Sequence, residues 1–350
     1  FNALPGECLH TLNARRGGRG SHVERQWPRR RSVHGMSKPV ALVAGASRGL
    51  GLLIVRDLLE RGHDVAICAR SQTELDAAET RLSEFGAVSA YVCDVGNREQ
   101  VAEMVSQVRA AQGPIDVLIT VAGVIQVGPL ESVTLDHFDE AISTMLFGPI
   151  HLTWAVLPGM RLRGFGRIGT VASIGGTVAP PHLLPYATAK FGAVGFSEGL
   201  ASELQGTGVT STTIVPGLMR TGSHERALFT GNQGAEYAWF APSASLPLIS
   251  MDAKRAAAKI VEGVLAGKPR VDLHPLTHIG SRVHGLAPAT TVRALGLVNR
   301  LLPGAPQPPI TETIPGYAAA QRLGSSTVRT LTILGTRAAK RFNQRSTRPE

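Results

Sequence analysis

Tyr186-Ala187-Thr188-Ala189-Lys190 puts a phenol and an ammonium group four residues apart, on one face of a helix. A phenol ordinarily titrates near pH 10 and is a poor base at neutrality. A neighbouring lysine is expected to favour the phenolate, so that the pair can pass a proton to or from a substrate. Ser173 ends the apolar run Arg167 to Ala172, upstream of the tyrosine, and its hydroxyl suits a substrate carbonyl. Any such pair needs a helix to hold it and a strand to aim the serine.

A second group of residues speaks to a bound anion. Gly45-Ala46-Ser47-Arg48-Gly49-Leu50-Gly51 follows the apolar run Val40 to Ala44 and opens a helical pattern. Small glycines let backbone approach a pyrophosphate, and the helix N-terminus directs N–H groups at it. The spacing is G-x-x-x-G-x-G, in the strand-turn-helix setting of a dinucleotide site. The next strand ends Cys68-Ala69-Arg70, with no acid to grip a ribose 2′-hydroxyl. Arg48 and Arg70 instead suit a 2′-phosphate, which favours NADP(H) and leaves NAD(H) open. Asp94-Val95 after the third strand is placed to meet adenine. Pro216-Gly217-Leu218-Met219-Arg220-Thr221 after the sixth forms a turn that can lie against a nicotinamide, with Thr221 as a donor.

The elements that must position these residues alternate. Strands are expected at Val40–Ala44, Val65–Cys68, Val88–Val92, Val117–Val121, Arg167–Ala172 and Val209–Val215, with a short last one at Val271–Leu273. Helical patterns fall between them, including one opened by a capping box at Ser71-x-x-Glu74, a long one over Phe138–Leu162 and one over Tyr186–Leu204. Ser197, Glu198 and Glu203 are expected on the outer face of that last helix. The rhythm implies an α/β, doubly wound Rossmann fold: a mostly parallel seven-stranded sheet with helices on both faces. The Gly222–Ser250 insert breaks the rhythm, and its aromatic part, Tyr237–Leu248, reads as a lid over a hydrophobic substrate or equally as packing against the C-terminal extension. Three regions result: a leader over 1–36, a catalytic domain over 37–275 and a basic extension over 276–350, partly helical.

Taken together these motifs resemble the short-chain dehydrogenase/reductase family over residues 38–275. The resemblance implies that Gly45, Ser47, Arg48, Gly49, Leu50 and Gly51 hold the cofactor phosphates and ribose, and that Asp94 and Val95 bracket adenine. It implies that Ala122 and Gly123 follow the fourth strand at the adenosine side, and that Pro216, Gly217 and Thr221 meet the nicotinamide. Tyr186 is then the acid/base, Lys190 its partner on the nicotinamide ribose, and Ser173 the substrate-orienting hydroxyl. The implied reaction interconverts a secondary alcohol and a ketone, or an aldehyde. Two departures stand out. The family's Asn-Asn-Ala-Gly is here Thr120-Val121-Ala122-Gly123, and its helix-four Asn, which holds a relay water, is here Met145. They leave room for a low-turnover cofactor-binding scaffold or sensor as an alternative to an active enzyme.

Charge excludes an evenly basic surface. The net charge is +10 over 350 residues, yet residues 36–240 carry 14 Lys/Arg against 19 Asp/Glu. The excess lies in residues 1–35, with seven Arg against two Glu, and in residues 241–350, with 15 basic residues against five acids. The leader reads as a solvated or non-native tail, or as a transit peptide. Nucleic-acid binding is not expected, since the basic C-terminal run is short and aromatics are nearly absent from it. Basic residues interleaved with Leu and Val in Val292–Leu302 and in 322–349 suggest a peripheral membrane contact, which would suit a membrane-associated reductase of lipid-type carbonyls, or else a helical cap on the subunit followed by a solvated tail. No uncharged apolar run reaches the length of a membrane span. Three cysteines form no disulfide framework and eleven histidines no metal-ligand spacing, so no metal is expected. These features suit a cytoplasmic enzyme, and the family resemblance implies a homodimer or homotetramer.

Overall fold

The computed structural model describes residues 38–247 and 249–344. The leader over 1–36, Leu248 in the expected lid, and the terminal Arg345 and Arg348 lie outside the described residues. From Lys38 onward the chain is one compact unit, with the basic extension built onto the catalytic fold.

Seven strands form one sheet: β1 (Val40–Ala44), β2 (Asp64–Ala69), β3 (Val88–Val92), β4 (Ile115–Thr120), β5 (Gly166–Val171), β6 (Val209–Val215) and β7 (Arg270–Asp272). Their order is β7-β6-β5-β4-β1-β2-β3, and every pairing is parallel. The central strands are apolar on both faces because helices cover both faces. Leu42, Ile67, Leu118 and Ile168 are fully buried, each stabilising the fold by roughly 1.5–3 kcal/mol. The order reverses between β1 and β4, so a crevice opens there at the strands' carboxyl ends.

The helices α1 (Gly49–Glu60), α2 (Gln72–Leu82), α3 (Arg98–Gln112), α4 (Leu135–Ile142), α5 (Gly148–Leu162) and α6 (Leu184–Glu203) connect the first six strands. On one face, α1 packs its Leu53, Ile54 and Leu58 beside Ile260 and Val264 of α8 (Ala253–Leu265). On the other, Val101 and Val105 of α3 meet Leu152 and Met160 of α5.

The expected single helix over Phe138–Leu162 is in fact two helices joined by a wider π-helical turn at Ser143–Phe147. Such turns cost hydrogen-bond geometry and concentrate at functional sites; Met145 sits in this one. The combined run Leu135–Leu162 is also long and apolar enough to cross a membrane by length and composition, contrary to the sequence expectation. Here it packs within the domain, α4 against α6 and α5 against α3 and β4.

Ser197 is not on the outer face of α6. It is fully buried, where Thr213 Oγ1 donates to its hydroxyl at 2.9 Å and Ser211 Oγ donates to its carbonyl at 3.0 Å. The polar side chain is tolerated inside because β6 supplies hydroxyl partners.

After β6 the insert holds α7 (Gln233–Ser243), whose Tyr237 and Phe240 are buried against Phe229. Beyond β7 come α9 (Pro275–Leu286), α10 (Pro288–Asn299), α11 (Gly316–Leu323), α12 (Ser326–Leu331) and α13 (Ile333–Arg341). The α11 helix packs on α7. The chain then returns to the start of the domain: Gly49 N–H donates to the Phe342 carbonyl at 2.7 Å, and Asn343 Nδ2 donates to the Ser47 carbonyl at 2.9 Å.

Candidate active site

Where the sheet order reverses, a cavity of ≈ 680 Å³ opens, within the size range of small-molecule sites. The turn from β1 into α1 forms its floor. Gly45 has φ +82°, and a Cβ there would collide with Ala122, which follows β4. A Cβ on Gly51 would run into the Gly45 carbonyl. Only glycine lets the turn lie this close to both neighbours. Gly45 N–H donates to the Cys68 carbonyl at 2.9 Å.

The cavity collects nearly all the residues singled out from sequence. Gly45, Ser47, Arg48, Leu50, Gly51, Arg70, Asp94, Val95, Ala122, Gly123, Ser173, Tyr186, Lys190, Pro216, Gly217 and Thr221 all line it. Gly49 does not, because the carbonyl of Phe342 covers its N–H. The cleft fits a dinucleotide on the chemistry of its donors: a helix N-terminus, a backbone turn that admits no side chain, and arginines at one end.

Ser173, Tyr186 and Lys190 converge from two elements. Ser173 follows β5, is buried, and accepts a hydrogen bond from Gly175 N–H at 3.0 Å. A Cβ on Gly175 would press on the Tyr186 ring. Burial pushes the Tyr186 phenol above its ordinary value, and a hydrogen bond from Ser173 pulls it partway back. Lys190 Nζ donates to the Val171 carbonyl at 2.7 Å and lies 6.0 Å from the tyrosine ring centre. Burial lowers its pKa to about 8. At Tyr186 the downward pull comes from the Ser173 hydrogen bond, and burial works the other way.

Met145 is 1% exposed and packs with Ala141, Ala189 and the Tyr186 ring. At the place where the family resemblance expects a water-holding amide, the chain presents a thioether to Tyr186 and Gly123.

The expected capping box at Ser71 is half formed. Ser71 Oγ accepts from Glu74 N–H at 3.4 Å, but the Glu74 carboxylate turns toward the cavity instead. Arg48 Nη1 lies 2.5 Å from both its oxygens, and Ser47 Oγ and Arg226 Nη2 each lie 3.1 Å from one of them. An ion pair with arginine outweighs a neutral cap. Glu74, Arg226 and Gln344 line the cavity without having been selected from sequence. Arg226's position after the sixth strand was the one available signal for it.

The α7 segment packs against the C-terminal extension, and part of it also lines the cavity. Trp239, Phe240, Ser243 and Ala244 of α7 and the turn after it line the cavity, as do Leu183 and Ile174. The helix is anchored through Glu236, which is fully buried; Trp239 Nε1 donates to it at 2.7 Å and His182 Nδ1 lies 2.9 Å from both its oxygens.

The short chain dehydrogenase family model matches residues 39–228. The chain belongs to that family, a family of oxidoreductases, and the fold and cleft described above are its nicotinamide-dinucleotide architecture. A putative ketoacyl reductase of Streptomyces coelicolor is 37% identical over 185 residues, 52% of this chain and 71% of that protein. Human 17-beta-hydroxysteroid dehydrogenase 13 is 28% identical over 278 residues, 78% of this chain and 85% of that protein. Among solved structures, an actinorhodin polyketide ketoreductase variant with NADPH superposes with a TM-score of 0.60 at 30% identity, covering 67% of this chain and 95% of that one. A short-chain dehydrogenase from Streptomyces avermitilis gives 0.65 at 27% identity, covering 76% and 99%.

Proposed function

We propose that the protein is an NADPH-dependent reductase of hydrophobic ketones or aldehydes, run reversibly as an alcohol dehydrogenase. The observation that carries this reading is the convergence of Ser173, Tyr186 and Lys190 in one cleft, whose lining also includes Arg48, Arg70, Trp239 and Phe240. Bound nicotinamide supplies the hydride. Everything else falls to the chain's own groups.

The β1–α1 turn receives the phosphates, and Pro216, Gly217 and Thr221 hold the opposite end of the cleft. A phenol is protonated at neutrality and burial raises Tyr186 further, so it stands ready as the acid that protonates the new alkoxide oxygen. Ser173 Oγ donates to the same oxygen and stabilises its growing negative charge. Lys190, still an ammonium at pH 7, adds positive charge behind the phenol. Trp239 and Phe240 exclude water from an apolar substrate. The test is NADPH oxidation across a panel of hydrophobic carbonyls with Tyr186→Phe as control; full turnover in that variant sinks the mechanism. Robust NADPH binding without turnover on any carbonyl favours the scaffold or sensor alternative, which Met145 motivates.

Two partner assignments go with this reading. Leu135, Phe147, Trp154, Leu162 and Phe191 expose apolar surface along α4 to α6, which suits a homodimer or homotetramer; sedimentation of a monomer removes it. A second exposed surface favours a cytoplasmic enzyme lying against an anionic membrane. Leu276, Ile279, Val283 and Leu286 recur along one face of α9 and are all exposed, and α10 buries none of its residues. Arg282, Arg293 and Arg300 accompany them with no acid between Leu273 and Thr311. Basic residues at headgroups with leucines below is the pattern of an interfacial hairpin. Flotation with phosphatidylserine vesicles tests it: the paired substitutions Ile279→Asp and Leu286→Asp are expected to abolish flotation, and unchanged flotation refutes the contact.

A further inference from the structure

The nucleotide end of the cleft holds more positive charge than Arg48 and Arg70 supply. Arg226 reaches it from the segment after β6, far from the glycine-rich turn in sequence. Its Nε donates to the Gln344 carbonyl at 2.6 Å, and its Nη2 lies 3.1 Å from Glu74 Oε1. Since Phe342 and Asn343 are themselves bonded to Gly49 and Ser47, the C-terminal segment fixes Arg226 relative to the β1–α1 turn.

One carboxylate thus gathers Ser47 and Arg48 of the glycine-rich turn and Arg226 from the segment after β6. Arg70 lines the same space and makes no ion pair among the described residues. Three arginines against Glu74 leave a formal charge of +2. A phosphate monoester carries about −1.5 to −2 at neutral pH and accepts the same forked donors as a carboxylate. A ribose hydroxyl carries no charge and has no means of displacing Glu74 from two guanidinium groups.

We infer that Arg226 is a third cation of the 2′-phosphate site and that Glu74 is the internal anion which that phosphate replaces. Arg226 is then a specificity-determining residue for NADPH over NADH. This rests on the NADPH reading above, and the two are separable by experiment.

The test uses the full chain and reads nucleotide binding rather than turnover. Reduced-nicotinamide fluorescence is titrated with NADPH and NADH, and 2′,5′-ADP and 5′-AMP serve as competitors. Arg226→Gln is expected to weaken NADPH and 2′,5′-ADP at least tenfold while NADH and 5′-AMP change less than twofold. Arg226→Lys, which keeps the charge without the fork, is expected to fall between. Glu74→Gln is expected to tighten NADPH several-fold by removing the competing anion. Equal losses for both nucleotides in Arg226→Gln would mean a structural role and overturn the inference, as would no loss for either. Wild-type protein that binds NADH as tightly as NADPH overturns the NADPH reading itself. An NADPH preference that survives Arg226→Gln overturns only the assignment of Arg226.

Discussion

The ammonium of Lys190 is bonded to the carbonyl of Val171, 2.7 Å away, and not to the phenol four residues before it on the same helix. That bond ties α6 to the end of β5, two residues before Ser173. The lysine therefore holds the helix and the serine-bearing strand end in register, besides placing charge behind Tyr186.

Its burial makes stability depend on pH. Below about pH 8 Lys190 is charged in both folded and unfolded chains, and the full cost of burying the charge is present. Between about 8 and the unfolded value near 10.4, the unfolded chain binds more protons, so this group raises stability as pH rises. The gain amounts to about 3 kcal/mol across that window, taking 1.36 kcal/mol per unit. Lys190→Met is expected to remove the slope. Urea denaturation of both proteins at pH 7 and at pH 10 measures it, and parallel pH dependences refute the assignment.

Removing the phenol should separate chemistry from binding. Tyr186→Phe keeps the ring that packs on Met145 and Ala189. Loss of a positioned general acid costs about 10²- to 10⁴-fold in rate. Turnover of a responsive ketone is expected to drop by that factor, with NADPH affinity unchanged by fluorescence titration.

Ser173→Ala carries a directional test. The serine hydrogen bond lowers the Tyr186 pKa, whereas burial raises it. Without the serine only the upward push remains. The phenolate absorbance of Tyr186, isolated by difference against Tyr186→Phe, is expected to appear at higher pH in Ser173→Ala. The alkaline limb of alcohol oxidation should move the same way.

The anchor of α7 is expected to be costly to break. Glu236 is fully buried between His182 and the Trp239 indole. Glu236→Ala takes away the shared partner of the buried His182 ring and the partly buried Trp239 indole and should cost about 3 kcal/mol. Thermal unfolding measures the loss, and KM for a hydrophobic ketone should rise because Trp239 loses its tether.

What sequence revealed was local. The glycine spacing, the Tyr–Lys interval and the alternation of strands depend on neighbours within a few residues, and those neighbours set the turn and the helix face. Long-range partners were hidden. Glu74 fits a capping box by spacing, but an arginine 152 residues away competes for its carboxylate. Ser197 reads as surface because a hydroxyl ordinarily seeks water, yet Ser211 and Thr213 provide a substitute inside. The π-helical turn at Ser143–Phe147 leaves no mark in hydrophobic periodicity, since its apolar residues suit an unbroken helix equally well.

The link between Asn343 and Ser47 spans 296 residues. Asn343 leaves the ribosome after Ser47 by a delay of roughly 15 to 60 s at about 5–20 residues per second. During that interval the glycine-rich turn has its sheet but lacks its C-terminal clasp. A nascent chain can thus acquire its core well before its nucleotide pocket is closed, and dinucleotide arriving in that period meets a more open entrance than the finished protein offers.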